Sequence, residues 1–418
     1  MNYEQALEYI DSFPRFGKAV GLDNIIKLLK ILGDPQEHCK VLHIAGTNGK
    51  GSVAAIAAEV LIKHGYKTGL YVSPYIINFR ERIQINGEMI SENRLAECCA
   101  EVKATVGTHF DDAAVFSQFE IITAIGFLYF AHENCNYIIL ETGLGGRLDA
   151  TNVVKKPICT VITHISLDHT AVLGETTEEI AAEKAGIIKK NVPVVVSPQC
   201  DAALRVIAEK CKEQNAQLVT VKENDITDIK LGFSRTDFKY LGTAFSVSLA
   251  GEHQAYNAAT ALEVLKQTGI SLNPRLVSRA LNSVIHPARL EVVSELPHVI
   301  IDGAHNPDGI TALCEYIKNI NWQGSILFGA LKDKNTEEMV HILSSLNKEV
   351  VTVTIRDNER AESAVKLAAD FDVNGIKAMA AKSYEEAIKH LNKKPFLVCG
   401  SLYLAADIRK IFKNDNII

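Results

Sequence analysis

The sequence lacks several patterns that define common classes of protein. Its nine cysteines, spread from Cys39 to Cys399, contain no C-x-x-C pair. Scattered thiols in odd number are typical of free cysteines in a reducing cytoplasm, and argue against a disulfide framework or a zinc site. No apolar run approaches the roughly 20 residues of a membrane-spanning helix. The N-terminal MNYEQALEYIDSF has the pattern of an amphipathic helix and not of a signal peptide. We therefore expect a soluble, unprocessed, cytoplasmic protein.

An excess of positive charge is also missing. The formal net charge of −6 and the pI near 6.1 argue against nucleic acid or an anionic membrane as the main partner. Small anionic ligands are not excluded, because a local positive site is sufficient to bind them. With 418 residues and 47% hydrophobic composition, the chain is long enough to bury the cores of two or three domains.

The segment VLHIAGTNGKGSVAAIAAEVLIKHG, residues 41–65, predicts a strand, a loop of small residues that carries Lys50, and a helix. Such a loop directs backbone N–H groups and a helix N-terminus at one point, where phosphate binds, and the lysine adds charge for the terminal phosphates. The segment departs from the pattern G-x-x-x-x-G-K-[ST], because Ile44 replaces its first glycine and Gly51 replaces the hydroxyl residue that holds Mg²⁺. If the loop binds a nucleoside triphosphate, the ligands of the magnesium come from elsewhere.

Apolar runs alternate with helical patterns between residues 41 and 200; the runs are VLHIAG, TGLYVS, YIILE, CTVITHIS and VPVVVS. This alternation predicts an α/β fold with a mostly parallel sheet flanked by helices, and ligands at the carboxyl ends of the strands. The alternation restarts near residue 293. We expect an N-terminal P-loop domain over residues 1–292 and a smaller, Rossmann-like α/β domain over residues 293–418. Shorter alternating patterns in residues 200–250 are typical of an antiparallel addition.

Polar residues follow several of these strands. Ser73 follows TGLYV, Glu141 ends YIILE, and His169 lies beyond CTVITHIS. Mg²⁺ prefers oxygen ligands, and Glu141 has the position of a Walker-B acid. Taken singly, each residue has an ordinary alternative: a turn hydroxyl, a strand-end carboxylate, and a packing or surface histidine. Their joint placement at strand ends favours one shared crevice.

Lys184 lies in the helical pattern ETTEEIAAEKAGIIKK, where Thr176 and Glu179 predict a capping box. Its helical face is otherwise apolar and consists of Ile180, Ile187 and Ile188. The periodicity leaves two interpretations open, a lysine that snorkels past its neighbours and a desolvated, nucleophilic amine. Near a metal centre such an amine can react with CO₂ to give a carbamate.

From about residue 20 to 405 the chain contains, in order, GTNGKGSV, SPYIINFRERI, FEIITAIGFLYF, LETGLGGRLDATN, ISLDHTAVLGETTEEIAAEKAGI, GEHQAYNAATAL, PARLEVV, DGAHNPDG and CGSLYL. This series resembles the motifs of folylpolyglutamate synthase, including its bacterial form that is also a dihydrofolate synthase, in the Mur ligase superfamily. The resemblance implies an ATP-dependent ligase of folate and one-carbon metabolism. In this family an acceptor carboxylate attacks the γ-phosphate to give an acyl phosphate and ADP, and the amine of L-glutamate then displaces phosphate. It further implies a monomer, and a reduced folate, dihydropteroate or both as acceptor.

The resemblance also implies the site residues. The implied ATP contacts are Asn48, Gly49, Lys50, Gly51, Ser52, Asn257, Arg289, Asp302 and His305. The implied ligands of two Mg²⁺ ions are Ser73, Glu141 and His169. The implied catalytic residues are Lys50, Lys184 as an N6-carboxylysine, and His169. The implied folate contacts are Val20, Gly21, Leu22, Ser117, Gln118, Phe119, Glu120, Leu148, Asp149 and Ala150. One departure is Ala288, which stands where the family commonly has the glycine of Pro-Gly-Arg.

Other interpretations make different predictions. A Mur ligase that acts on a UDP-sugar peptide usually has a substantial UDP-binding domain before the loop, but only about 45 residues precede it here. A P-loop NTPase switch needs no ligase machinery, and its ADP release would not depend on glutamate. A dinucleotide-binding fingerprint at GLGGR would require the spacing G-x-G-x-x-G, which is absent there.

Overall fold

The computed structural model describes residues 1–15 and 21–414. Its α-helices in chain order are α1 Tyr3–Asp11, α2 Asp23–Ile31, α3 Lys50–Lys63, α4 Glu92–His109, α5 Gln118–His132, α6 Thr170–Leu173, α7 Thr177–Ala185, α8 Asp201–Glu213, α9 Glu252–Gln267, α10 Pro274–Leu281, α11 Pro307–Asn319, α12 Thr336–Ser344, α13 Ala364–Val373, α14 Tyr384–Leu391 and α15 Leu402–Asn414. Short 3₁₀ helices are Pro35–Glu37, Phe79–Arg82, Ala113–Val115, Ala150–Val153 and Glu223–Asp225. None of the helices in these ranges has the length and apolar character needed to cross a bilayer.

The strands in chain order are β1 Lys40–Ala45, β2 Thr68–Tyr71, β3 Ile83–Ile85, β4 Glu88–Met89, β5 Tyr137–Glu141, β6 Cys159–Ile162, β7 Val194–Val196, β8 Leu218–Thr220, β9 Ile226–Leu231, β10 Thr236–Tyr240, β11 Thr243–Val247, β12 Glu291–Glu295, β13 His298–Ile301, β14 Ser325–Phe328, β15 Val350–Thr352, β16 Ala378–Ala380 and β17 Phe396–Cys399. The predicted runs between residues 41 and 200 correspond to β1, β2, β5, β6 and β7.

The chain divides into two compact units. The first comprises Met1–Ile165, Thr170–Glu223 and Asn257–Leu281, and the second comprises Ser166–His169, Asn224–Tyr256 and Asn282–Ile418. These units differ from a single division between residues 292 and 293, because β9 to β11 belong to the second unit. The Tyr316 hydroxyl on α11 donates to the Gly232 carbonyl at 3.1 Å, and the rings of Phe233 and Trp322 are 6.5 Å apart. Such contacts between residues distant in sequence hold the antiparallel strands to the C-terminal part.

The first unit contains an eight-stranded sheet with the order β4-β3-β2-β5-β1-β6-β7-β8. Strands β2, β5, β1, β6, β7 and β8 pair in parallel, and only the β2–β3 and β3–β4 pairs are antiparallel. The prediction of a mostly parallel sheet is thereby confirmed. One apolar core includes residues of α1, α2, α4 and α5, and another includes residues of α7 and α8. Strand β5 is buried along its whole length, as its continuous apolar run predicts.

This strand order positions the candidate site. Because β2, β5, β1 and β6 are neighbours, the segments that follow them leave the sheet at the same edge. Ser73 lies two residues after β2, Glu141 is the last residue of β5, and the loop beginning at Gly46 follows β1.

The second unit contains two sheets. Strands β9 to β11 form an antiparallel sheet, as the shorter alternating patterns predict. The larger sheet has the order β12-β13-β17-β14-β15-β16, and its pairs are parallel except for β12–β13. Its apolar core includes Ile300, Phe328 and Leu397, which are fully buried. The predicted α/β character of the C-terminal region is confirmed.

Candidate active site

A loop of residues 46–49, here called the phosphate loop, joins β1 to α3. Gly46 (φ +153°) and Gly49 (φ +88°) have backbone conformations that favour glycine. A Cβ on Gly46 would lie 1.8 Å from Thr163 Oγ1, and a Cβ on Gly49 would lie 2.4 Å from Asn257 Oδ1. Both positions therefore require glycine, and Asn257, a predicted ATP contact, lies beside the loop.

Helix α3 begins at Lys50, whose side chain turns back over the phosphate loop. Its Nζ donates to the carbonyls of Gly46 and Thr47 at 3.0 and 3.1 Å. The N–H groups of Thr47 and Asn48 donate to the His164 carbonyl at 2.9 and 3.1 Å. N–H groups in the first turn of a helix have no intrahelical acceptor, which makes the first turn of α3 a candidate anion-binding position. That turn contains the remaining predicted triphosphate contacts, Gly51 and Ser52.

Glu141 and Ser73 lie together beside Lys50. The Glu141 carboxylate is buried; its Oε1 is 4.0 Å from Lys50 Nζ, and its Oε2 accepts the Ser73 N–H at 3.3 Å. The Ser73 Oγ is buried and has no hydrogen-bond partner in the described part of the chain. A buried hydroxyl without a partner is costly unless a ligand satisfies it. The arrangement thus places two oxygen donors at one point of the sheet edge.

Lys184 is buried and reaches the same loop. Helix α7 begins as predicted, with the Thr176 and Glu179 capping box in place. Lys184 Nζ donates to the Gly46 carbonyl at 2.8 Å, so the side chain points inward and does not snorkel to the surface. The helix ends at Ala185, earlier than the apolar pattern suggests, and Gly186 caps it. Two lysines from two helices therefore share one backbone carbonyl.

The glycine-rich loop, residues 143–149, packs against the C-terminal end of α7. A Cβ on Gly146 would lie 2.8 Å from the carbonyl oxygens of both Glu183 and Lys184, and a Cβ on Gly143 would lie 2.6 Å from the Phe119 ring. The sequence suggests that these glycines let the backbone approach a ligand, but at these two positions the close neighbours are protein atoms. The loop leads into a short 3₁₀ helix, Ala150–Val153, and not into an α-helix, which argues further against a dinucleotide fingerprint.

Asp149 organises the glycine-rich loop. Its Oδ2 accepts the N–H groups of Gly143 and Leu144 at 2.8 and 2.9 Å. Its Oδ1 accepts the N–H of Thr151 at 3.0 Å and the Thr151 hydroxyl at 2.5 Å. Burial raises the pKa of Asp149 above its ordinary value, although these hydrogen bonds oppose the shift. His43 on β1, which the sequence did not single out, is 2.8 Å from Thr151 through its Nε2.

The predicted folate contacts occupy several positions in the first unit. Val20 lies outside the described residues. Gly21 and Leu22 directly precede α2 and are partly exposed. Ser117 and Glu120 form the capping box of α5, and burial raises the pKa of Glu120. The remaining predicted contacts are Gln118, Phe119, Leu148 and Ala150. Among these, Phe119 contacts the glycine-rich loop at Gly143, and Leu148 is exposed.

In the second unit, Asp302 holds a turn. Its two carboxylate oxygens accept the N–H groups of Leu290 and Ala304, both at 2.8 Å. Arg289 lies between Ala288 (φ +55°) and Leu290 (φ +47°), two non-glycine residues in the left-handed region. Ala288 therefore keeps the backbone conformation that a glycine would adopt without strain. The nearby His305 ring is 2.8 Å from the Gly303 carbonyl through Nδ1.

Asp168 is the centre of a polar cluster in the second unit. Its Oδ1 accepts Lys334 Nζ at 2.6 Å and the His169 N–H at 2.8 Å, and its Oδ2 accepts Asn306 Nδ2 at 3.1 Å. Burial raises the pKa of Asp168, but the neighbouring His305 and the Lys334 ammonium lower it more, so that it lies well below its ordinary range. Lys334 was missed by sequence reasoning; its position shortly after β14 was the available signal.

The predicted metal ligands are divided between the units. Ser73 and Glu141 lie together in the first, whereas His169 belongs to Ser166–His169 in the second. Across residues 1–15 and 21–414, no group of three or more His, Cys, Asp and Glu side chains has the arrangement of a metal site. Ser73 is a serine and therefore does not belong to any of these four residue types.

Two family profiles match this chain. The family profile of the Mur ligase middle domain matches residues 44–265, and that of the Mur ligase glutamate ligase domain matches residues 288–401. The chain is 35% identical over 423 residues to the folylpolyglutamate synthase of Lacticaseibacillus casei, and the alignment covers 98% of each protein. The chain belongs to the folylpolyglutamate synthase/dihydrofolate synthase family. It is 36% identical over 433 residues to the dihydrofolate synthase/folylpolyglutamate synthase of Bacillus subtilis strain 168, with 98% of this chain and 99% of that protein covered.

This chain also has the fold of a solved member of the family. The solved folylpolyglutamate synthase of Mycobacterium tuberculosis, complexed with ADP, superposes with a TM-score of 0.90 at 28% identity, and the match covers 99% of this chain and 98% of that chain. Membership in the folylpolyglutamate synthase/dihydrofolate synthase family confirms the predicted ATP-dependent ligase class and rules against the interpretation as an NTPase switch.

Proposed function

We propose that the protein uses ATP to join L-glutamate to a folate, extending the glutamate chain of tetrahydrofolate, and that dihydropteroate is a second acceptor. The observation that carries the proposal is the Gly46 carbonyl, which accepts Lys50 Nζ at 3.0 Å and Lys184 Nζ at 2.8 Å. Glu141 lies 4.0 Å from Lys50 Nζ. An ammonium and a strand-end acid thus lie beside the phosphate loop, where the first can stabilise charge on a transferred phosphoryl group and the second can hold a metal ion.

The proposed reaction has two steps. A carboxylate oxygen of the acceptor attacks the γ-phosphorus, the bond to ADP breaks, and an acyl phosphate forms. The glutamate amine then attacks the acyl carbon and loses a proton, and phosphate leaves. Because the acceptor carboxylate and the triphosphate are both anions, cationic groups must reduce their repulsion in the first step. We assign this role to Lys50 and Arg289.

The triphosphate contacts follow from the helix that begins at Lys50. We propose that Asn48, Gly49, Gly51 and Ser52 bind the phosphates together with Lys50, because the N-terminus of α3 favours negative charge. Asn257 is a further proposed ATP contact, supported by the closeness of its Oδ1 to Gly49. Asp302 and His305 complete the proposed set. Asp302 acts through the turn that carries Arg289, since both of its oxygens accept backbone N–H groups.

The residues at the edge of the large sheet fit Mg²⁺. Ser73 Oγ is buried without a partner in the described part of the chain, and the Glu141 carboxylate accepts the Ser73 N–H. Hydroxyl and carboxylate oxygens are the hard donors that Mg²⁺ prefers. We propose that Ser73, Glu141 and His169 hold two Mg²⁺ ions with the triphosphate. When bound, these ions neutralise charge on the phosphoryl group that is transferred.

Lys184 is the proposed site of a carbamate. Reaction of its amine with CO₂ releases a proton and leaves one N–H on Nζ, which can still donate to the Gly46 carbonyl. The new carboxylate would add negative charge near the proposed metal ligands. Burial of the side chain supports this assignment, because a desolvated lysine favours its neutral, nucleophilic form.

The acceptor and the domains complete the proposal. We assign folate binding to Gly21, Leu22, residues 117–120 and residues 148–150, together with Val20. Contact between Phe119 and Gly143 supports a common surface for two of these segments. Residues 1–292 are the proposed ATP-binding domain, and residues 293–418 the proposed glutamate ligase domain. We propose that the protein is a monomer and that it lies in the cytoplasm. Its nine cysteines are free, as is typical of proteins in a reducing compartment.

The direct test is product formation measured by mass spectrometry, with ATP and either dihydropteroate or tetrahydrofolate, each with and without glutamate. Glutamylated product from both acceptors supports a bifunctional synthase. Product from tetrahydrofolate alone supports chain extension and removes dihydropteroate from the proposal. Absence of product from both acceptors, with ATP hydrolysis that does not respond to glutamate, would overturn the proposed function.

A further inference from the structure

His43 is a polar residue in the middle of a buried parallel strand. It lies between Leu42 and Ile44 on β1 and is fully buried. Its Nε2 is 2.8 Å from Thr151 Oγ1, an atom 108 residues away in sequence. Burial lowers the pKa of His43 to about 3, so that the imidazole is neutral at physiological pH. A neutral imidazole offers one N–H donor and one acceptor nitrogen.

The direction of this hydrogen bond follows from its neighbours. Asp149 Oδ1 accepts the Thr151 N–H at 3.0 Å and also the Thr151 hydroxyl at 2.5 Å, so the hydroxyl donates its single proton there. Thr151 Oγ1 must then accept from His43 Nε2–H. This assignment leaves His43 Nδ1 without a proton, and that atom has no hydrogen-bond partner in the described ranges.

The chain of hydrogen bonds continues into the glycine-rich loop. Asp149 Oδ2 accepts the N–H groups of Gly143 and Leu144 at 2.8 and 2.9 Å. These two residues closely follow Glu141, the acid at the end of β5. At the other end of the network, β1 continues from His43 to Ala45 and is followed by Gly46, whose carbonyl accepts both lysines. The network therefore joins the strand that leads into the phosphate loop to the loop that carries proposed acceptor contacts.

We propose that His43 is a positioning residue that, through Thr151 and Asp149, fixes the glycine-rich loop relative to the phosphate loop and so determines the affinity for the acceptor. The effect on acceptor affinity rests on the proposed function, whereas the effect on the loop does not.

A second set of contacts holds the far side of the same segment. Lys189 Nζ donates to the Asn152 carbonyl at 3.2 Å, and Asn152 Nδ2 donates to the carbonyls of Arg147 and Gly186 at 2.9 and 3.2 Å. Loss of the His43 hydrogen bond should therefore loosen the segment around residues 143–149 without unfolding it. This separation makes positioning distinguishable from a general loss of structure.

The test compares His43→Leu, which removes the N–H donor, with His43→Gln, whose amide can replace Nε2–H. Amide hydrogen exchange, measured by mass spectrometry on the full-length protein, should accelerate in peptides spanning residues 142–151 for His43→Leu, and return toward the wild-type rate for His43→Gln. Thr151→Val should reproduce the effect and Thr151→Ser should not. The control Thr260→Val removes a buried hydroxyl that pairs with Ser197 Oγ at 3.0 Å, and should leave these peptides unchanged.

Steady-state kinetics provide the second readout. For His43→Leu we expect the KM for the acceptor to rise about tenfold, the worth of one hydrogen bond at about 1.4 kcal/mol, with the KM for ATP unchanged. Unchanged exchange in residues 142–151 for both His43→Leu and Thr151→Val would overturn the proposal. Equal increases in the KM for ATP and for the acceptor would also overturn it. A wild-type protein without ligase activity would instead contradict the proposed function, and the exchange data alone would then decide the role of His43.

Discussion

The two compact units use their polar groups differently. In the first, Lys50 and Lys184 share the Gly46 carbonyl, and Ser73 Oγ has no partner among the described residues. In the second, Asp302 accepts two backbone N–H groups, and Asp168 binds the Lys334 ammonium. We interpret the first arrangement as groups kept for ligands and the second as groups that hold loops. Substitutions of the first set of groups should therefore reduce activity, and substitutions of the second set should reduce stability.

The largest effect should come from Lys50→Met, which removes the ammonium that donates to the Gly46 and Thr47 carbonyls of the phosphate loop. We expect kcat for glutamate-dependent ADP release to fall by about 100-fold or more, with a thermal midpoint close to wild type. Lys63→Met, on the same helix and paired with Glu59 at 2.9 Å, is the matched control and should retain activity. Turnover near the wild-type rate in Lys50→Met would contradict the interpretation that these groups of the first unit are kept for ligands.

Lys334→Met tests whether the Asp168 cluster of the second unit has a structural role. The Lys334 and Asp168 side chains are 9% and 10% exposed, and removal of one partner from a buried pair costs about 3 kcal/mol of unfolding free energy. Urea denaturation measures this loss. Lys366→Met, whose side chain is 48% exposed beside Asp370, should cost less than about 1 kcal/mol. Equal stability of the two variants would contradict a structural role for the Asp168 cluster.

The stability that the Lys334–Asp168 pair contributes should depend on pH. Because the folded-state pKa of Asp168 is lowered, its contribution to stability is present above the ordinary aspartate pKa of about 3.9 and is lost as the pH falls below it. The destabilisation by Lys334→Met should therefore be constant from about pH 5 to pH 8 and shrink below about pH 4. A destabilisation that grows on acidification would show that another group dominates.

Gly146→Ala should produce a smaller loss of stability within the first unit. A Cβ at this position lies 2.8 Å from two backbone carbonyl oxygens, and such overpacking costs about 2 kcal/mol. Gly107→Ala in α4 is the control; its Cβ meets nothing within 4 Å, and the change should stabilise the helix by about 0.5 to 1 kcal/mol. Thermal unfolding of the two variants should shift in opposite directions. An unchanged midpoint for Gly146→Ala would mean that the loop does not pack on α7.

The smallest effect should come from Ala288→Gly. Ala288 has φ +55°, a conformation that costs a non-glycine residue about 1 to 2 kcal/mol, although glycine gives back part of the gain through the greater entropy of its unfolded chain. We expect a net stabilisation of about 0.5 kcal/mol, measured by the thermal midpoint. Ala387→Gly inside α14 should have the opposite sign. Destabilisation by Ala288→Gly would show that its buried methyl group outweighs the strain.

Much of the fold could be predicted from the sequence, because strands buried on both faces are continuously apolar. The runs that gave β1, β5 and β7 are short and bounded, and the predicted capping box at Thr176 begins α7. The assignment of β9 to β11 to the second unit could not be predicted in this way. It depends on contacts such as Tyr316 with Gly232, between residues that are 84 positions apart.

The site was predictable to the extent that strand ends and motifs revealed it. Periodicity could not separate the two interpretations of Lys184, because a snorkelling and a buried lysine occupy the same helical face; only the contact with Gly46 decides. His43 in an apolar strand has the pattern of a core residue, and its partner Thr151 is distant in sequence. The density of glycine after Glu141 predicts that the backbone passes close to a ligand, whereas the close neighbours at Gly143 and Gly146 are Phe119 and α7.

In the proposed reaction, a phosphoryl group is transferred to an acceptor carboxylate at the carboxyl edge of the eight-stranded sheet. The most direct measurement uses an acceptor labelled with ¹⁸O in that carboxylate and follows the isotope into inorganic phosphate by mass spectrometry. An acyl phosphate predicts one labelled oxygen in each phosphate released per glutamate added, because the acyl carbon–oxygen bond breaks when the amine attacks. Unlabelled phosphate, formed together with glutamylated product, would contradict the account.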